Sequence, residues 1–295
     1  MKNSKVIIIM LFVFIAFSSK AQKGLQLKLQ VGSKWYCELN SNSIRKMKKG
    51  GDSIVIVSEN TLGSTFEVLR EDKGLYDIKL TFSDIKSRKN SPMTENDVLF
   101  DSKKEEDMTG EMGENVKNIL GKSYVFTITT DTRKVTGIKE KPDLENLSRP
   151  KDLEPDVSLF PQTDDELYRF VKKIFGGGIP DAQLVTGLKW DANLSVNTDG
   201  VNQIVNTIYT INRIEGRIIF IDMASKRSAD GTPNGADFNF SGNFTAKGTA
   251  SVDQTTGLLI NSKSEENGNE VMKSDKGEDK WIITKLNLFT IKKLQ

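Results

Sequence analysis

The chain has 295 residues, 42 of them Lys or Arg against 40 Asp or Glu, with one Cys and no His. Without histidine the usual general base, the commonest metal ligand and the physiological-pH switch are all missing. That excludes Ser-His-Asp and Cys-His nucleophile systems and every zinc site with a His ligand. A single cysteine excludes an intramolecular disulfide and any cysteine-cluster metal site. The sequence therefore predicts no catalytic residues, no metal and no cofactor.

The N-terminus carries Lys2 and Lys5, then an unbroken apolar run from Val6 to Phe17, then Ser19-Lys20-Ala21. A basic start, an apolar stretch and a small-residue site predict a secretory signal peptide cleaved after Ala21. The run is 12 residues long, about 18 Å as a helix against a hydrocarbon core of roughly 30 Å, too short for a transmembrane anchor. Gln22 rather than Cys follows the cleavage point, so no lipoprotein anchor is expected. Losing Lys2, Lys5 and Lys20 leaves 39 basic against 40 acidic residues. A near-neutral chain lacks the basic footprint that nucleic-acid binding requires. The expected product is exported, periplasmic or secreted, with no transmembrane span in the mature chain.

The mature part repeats itself. Val31-Gly32-Ser33-Lys34-Trp35-Tyr36-Cys37-Glu38-Leu39 is echoed by Thr186-Gly187-Leu188-Lys189-Trp190-Asp191-Ala192-Asn193-Leu194. The strand-turn-strand pattern from Phe66 to Ile78 is echoed from Tyr209 to Phe220, and that from Tyr124 to Lys139 is echoed from Phe244 to Ser262. Three echoes in one order predict a duplicated unit. Trp35, Cys37 and Leu39 alternate onto one face, as do Trp190, Ala192 and Leu194, and as do Ile78, Leu80 and Phe82. That period of two belongs to antiparallel sheets with one buried and one wet face. The run from Trp281 through Ile291 is apolar on both faces at its start and reads as an inner strand.

Helices are few. Thr163-Asp164-Asp165-Glu166 is a capping box, and Leu167, Phe170, Val171 and Ile174 follow at helical spacing before Gly176-Gly177-Gly178. A second candidate runs from Thr109 to Leu120, against which the interior Gly110 and Gly113 count. Pro142, Pro150, Pro155 and Pro161 mark an extended connector. The predicted fold is all-β, mainly antiparallel, with one or two short helices, built by tandem duplication of a curved β-sheet or half-barrel unit. Its parts are a signal peptide over 1–21, a first β-repeat over 22–141, a Pro-rich connector over 142–180 with its helix at about 163–175, and a second β-repeat over 181–295.

These residues resemble a family of exported bacterial proteins of unknown function with a signal peptide and two β-rich halves. The shared features are Pro180 followed by Gly187-Leu188-Lys189-Trp190 at the opening of the second half, Phe100-Asp101-Ser102, and Leu120-Gly121-Lys122. The resemblance implies a fold and an address but no activity. The architecture is also similar to periplasmic lipoprotein carriers, whose curved sheet holds acyl chains, although architecture alone does not imply function.

Cys37 falls where the second copy has Ala192, so it reads as a small core residue rather than a reactive thiol. Trp35, Trp190 and Phe170 are the candidates for ligand binding, with a shared core role as the alternative for the tryptophan pair. The acidic stretches 101–107 and 265–270 lack the spacing that wraps a calcium ion; the loop 230–237 has a slightly better shape for one, and it too reads as a solvated turn. Ser83-Asp84-Ile85-Lys86 is expected at a strand end, not at the helix start a Ser-Lys hydrolase would use. The leading expectation is a non-catalytic exported β protein that binds an apolar ligand such as a lipid at the cell envelope. The alternatives are a structural module that docks an envelope protein without an internal cavity, and a carboxylate-based hydrolase, which needs no histidine.

Overall fold

A computed structural model describes residues 24–49, 52–92, 97–117, 119–141, 164–175, 179–180, 182–198 and 200–294. The predicted signal peptide, most of the Pro-rich connector, Thr163 and the Gly176–178 stop lie outside the described residues.

Twelve strands follow one another as β1 (Lys34–Lys49), β2 (Asp52–Asp72), β3 (Leu75–Asn90), β4 (Val98–Asp101), β5 (Ser123–Thr129), β6 (Val135–Glu140), β7 (Lys189–Thr198), β8 (Val201–Glu215), β9 (Ile218–Gly231), β10 (Phe238–Asp253), β11 (Leu259–Ser274) and β12 (Gly277–Lys293). Among the described residues two short α-helices interrupt them, α1 (Glu111–Lys117) and α2 (Asp164–Ile174), with a single 3-10 turn at Asp107–Thr109 before α1. All strands belong to one open, curled antiparallel sheet in the order β6-β5-β3-β2-β1-β12-β11-β10-β9-β8-β7, with β4 alongside β3. The strands are long: β2 has 21 residues, on the order of 70 Å at about 3.3 Å per residue. The first and last strands meet at the centre, where β1 pairs with β12 from Trp35↔Lys293 to Met47↔Trp281. β12 is thus an inner strand, as its apolar run predicts.

Period-two alternation divides the sheet into an inner and an outer face. Trp35, Cys37 and Leu39 point inward, opposite Phe66 and Leu62 on β2 and Phe289 and Ile291 on β12. The sheet curls around this inner face. Phe66, Phe82 and Phe126 from the first half meet Ile211, Ile219, Val252 and Phe289 from the second in one buried cluster. Over the first half, α2 lies on the inner face. Its Phe170 packs 5.9 Å from Phe82, and Phe175 just beyond it sits 5.0 Å from Phe66 and 6.1 Å from Phe126, ring centre to ring centre. Leu167, Val171 and Ile174 are fully buried beneath it, one stripe of an amphipathic helix. α1 is shorter than the 109–120 span predicted, and its Gly113 is required rather than disruptive. A Cβ there would collide with the backbone of Met108.

Residues 24–30 form an extended strap not foreseen in the sequence. Leu25, Leu27 and Leu29 are buried in the shared cluster. Leu27 N donates to Thr130 O in the first half and Lys28 N to Thr256 O in the second, at 2.8 and 3.0 Å. The strap therefore ties one end of the curled sheet together across its inner face.

The two halves open with matching local structure. Gly32 and Gly187, both at positive φ, donate to Val68 O and Ile211 O at 2.8 Å. Val68 N and Ile211 N return bonds to Ser33 O and Leu188 O. Trp35 stacks on Phe66 at 4.8 Å and 16°, and Trp190 on Tyr209 at 5.2 Å and 14°. Each partner strand then bulges two residues on, at Val68/Arg70 and at Ile211/Arg213.

Candidate functional site: the open inner face of the second half

The inner face can be read as rows running across the strands. One row passes from Trp190 through Tyr209, Met223, Gly248, Ser264 and Asn287 to Ser41. The next passes from Ala192 through Thr207, Ser225, Ala246, Glu266 and Lys285 to Ser43. Above it lie Leu194, Val205, Arg227, Phe244, Gly268 and Ile283. Across β7 to β10 the middle row is small (Ala192, Thr207, Ser225, Ala246), with Trp190, Tyr209 and Met223 on one side and Leu194, Val205 and Phe244 on the other, and Glu266 and Lys285 continue it on β11 and β12. Among the described residues no helix covers this region, in contrast to α2 over the first half. Trp190, Val196, Val205, Met223 and Phe240 stay half-buried, and Leu194 is 44% exposed.

Glycine shapes this face. A Cβ on Gly242 or Gly268 would meet the Phe244 ring, and one on Gly248 would meet the end of Met223. Both side chains can therefore lie flat on the sheet. Arg227 covers the other side of the Phe244 ring at 3.6 Å and pairs with Glu266 at 2.5 Å. Arg45 pairs with Glu270 at 2.5 Å, with side chains only 15% and 10% exposed. These two pairs are matched locally, which lets them sit beside apolar groups without a free buried charge.

The outer face is different. It carries Lys226, Lys247, Lys263 and Glu265 at mid-strand, all exposed. A membrane barrel presents an apolar band to lipid, and the sheet path ends at β6 and β7 without closing. A shallow outer depression of about 380 Å³ is lined mainly by polar residues, among them Asn206, Lys226, Asn243, Thr245 and Asn267.

The structure separates the three ligand-binding candidates. Trp35 is 7% exposed, stacked on Phe66, which in turn packs against Phe175, and belongs to the core. Phe170 is half-buried in the α2 contact with Phe82. Trp190 remains half-buried at the edge of the open face, and its indole Nε1 is sheltered without a hydrogen-bond partner. The residues that sequence reasoning missed are Tyr209, Val205 and Met223; Phe244 lies beside them but is 3% exposed beneath Arg227. Their inward alternation was legible, but which faces a helix covers was not.

Cys37 is 2% exposed, and burial pushes its thiol pKa up. Among the described residues no group of three Asp, Glu or Cys side chains converges as an ion site. Two carboxylates do approach each other on the outer face. Glu38 and Asp84 lie 3.5 and 3.4 Å from the Tyr36 hydroxyl, whose pKa is pushed up to about 12 by burial and by the two negative charges. They lie on the outer side of the sheet rather than lining the inner face, Asp84 only 5% exposed and Glu38 half-buried, and Lys103 sits 3.6 Å from Asp84. Ser83-Asp84-Ile85-Lys86 runs through the middle of β3 rather than at a strand end.

Neither a family model nor a curated protein matches the chain. Among solved structures it is similar to a lipovitellin chain described for its lipid–protein interactions, at 12% identity and a TM-score of 0.47, over 90% of this chain and 25% of that one. An outer-membrane channel from Pseudomonas putida F1 aligns over 90% of this chain and 98% of its own, at 7% identity and a TM-score of 0.25. A Rh. blastica porin variant aligns over 88% and 100%, at 8% identity and a TM-score of 0.23. The chain spans about a quarter of the lipovitellin chain it matches, and at these TM-scores the likenesses carry no functional argument.

Proposed function

We propose that this is an exported, non-catalytic β protein of the cell envelope that holds an apolar ligand of the acyl-chain class on the open inner face of its second half. The observation that carries this reading is the asymmetry of cover. The first half seals its inner face with Phe170, Val171, Ile174 and Phe175, whereas Trp190, Leu194, Val205 and Met223 line a corresponding surface that no helix covers among the described residues. Ligand sites are concave and mostly apolar, with a few placed polar groups, and the Arg227–Glu266 pair supplies such a group. The signal-like N-terminus supports the address, and the matching Gly-x-x-Trp openings support descent of both halves from one unit.

A polyene fatty acid tests the reading, because its fluorescence rises when it leaves water and it accepts energy from tryptophan. The mature chain should bind it saturably, and Val205→Lys should weaken binding at least tenfold by placing a charge in the apolar row, a cost of roughly 1.4 kcal/mol or more. Absence of binding by the wild type, or equal binding by the variant, would remove the proposal.

A further inference from the structure

The sheet protects its two edges very differently. At one end β6 has six residues, is bulged twice against β5, and carries Lys139 and Glu140 at its tip. α2 lies beside it, with Lys141 paired to Asp164 at 3.3 Å. These are the devices by which proteins blunt edge strands. At the other end β7 has ten residues in unbroken register with β8, from Lys189↔Thr210 to Thr198↔Val201. It contains no Pro, Gly or bulge, and from Ala192 to Thr198 it carries no charge. Among the described residues nothing pairs with its outer side. The apolar side chains beside this edge are exposed on both faces: Leu194 at 44% inward, and Ile204 and Ile208 at 49% and 51% outward.

The strand that corresponds to β7 indicates what fits there. β1 opens the first half with the same glycine turn and the same stacked Trp. Its other side is not free, because β12 lies antiparallel along it. β12 is thereby used, so among the described residues no strand takes the matching place beside β7. We propose that it is taken by β7 of a second copy of this chain, running antiparallel about a two-fold axis at Asn193.

That register is self-complementary. Inward, Trp190 faces Val196 and Ala192 faces Leu194 of the other copy. Outward, Lys189 faces Asn197, Asp191 faces Ser195, and Asn193 faces itself. No like charges oppose one another, and the apolar row that ends at Leu194 continues into the second molecule. The proposal is independent of whether the inner face holds a ligand.

Asn193 is exposed on the outer face, so changing it leaves the core and the inner face untouched. The mature wild type should sediment at twice the monomer mass. Asn193→Lys and Asn193→Glu, each placing like charges opposite one another at the axis, should each shift the species to monomer at the same concentration. Mixing the two variants should restore the dimer through an unlike pair. A monomeric wild type, a dimer insensitive to both substitutions, an open-ended series of larger species, or variants that stay monomeric when mixed would each overturn the β7 pairing.

Discussion

Asp77 lies on the outer face and gathers three partners: Lys139 at 2.7 Å, Thr127 at 2.8 Å and Arg70 at 3.1 Å. Burial alone would raise its pKa. The hydrogen bonds from Lys139 and Thr127 and the charges of Lys139 and Arg70 outweigh that and hold it below the ordinary 3.8. The folded state therefore favours the ionised form. Its contribution is fully present above the ordinary carboxylate pKa and is lost as pH falls through the lower, folded value. Between ~pH 5 and ~pH 2 the urea midpoint of the wild type should fall more steeply than that of Asp77→Asn. Near neutral pH the variant should be less stable by on the order of 1–3 kcal/mol, the value of hydrogen bonds to a charged group. Parallel midpoint curves would show that the cluster is not coupled to folding. Cys37 gives a simpler readout: a thiol reagent should modify it only after unfolding, because the thiolate is the reactive form. Its core position was legible in the sequence because Ala192 occupies the same place in the echo. The partners of Asp77 were not, because Arg70, Thr127 and Lys139 come from three strands whose pairing no local pattern specifies.

The strap shows what a short element contributes. Residues 24–30 bury three leucines and bond to both halves, and Gly257, at φ +75°, meets their backbone so closely that a Cβ would strike Gln26 O. Leu27→Ala should cost ~2–5 kcal/mol, the range for truncating a fully buried leucine, measured as a loss in chemical unfolding free energy. A cost below about 1 kcal/mol would mean that the strap is only laid on the surface. The alternation Leu25, Leu27, Leu29 was present in the sequence, but seven residues without a partner strand nearby resemble the start of β1. The strands themselves were far more legible. Trp35 to Leu39, Ile78 to Phe82 and Tyr124 to Ile128 alternate as their inward positions require. The hairpin at Lys73-Gly74 is marked by its glycine, which takes positive φ. The α2 helix was readable from Leu167, Phe170, Val171 and Ile174 because its stripe is complete.

At the scale of the molecule, the all-β antiparallel class followed from alternation, whereas the sheet order did not. The pairing of β1 with β12 joins residues about 250 positions apart, and no local signal encodes such a contact. Whether the halves build two separate units or one sheet depends on that pairing alone. The same contact leaves β7 without the neighbour that β1 has. Among the described residues a helix covers one half only, so Trp190, Val205 and Met223 stay half-buried while Trp35 is sealed. The central claim, that this open face holds an apolar ligand, is tested most directly by native mass spectrometry. The protein would be expressed with its own signal peptide and purified without detergent. The account predicts a chain beginning at Gln22 that carries a defined lipid-sized adduct, with the adduct absent from Val205→Lys. A bare mass that stays bare after incubation with a lipid extract would contradict it.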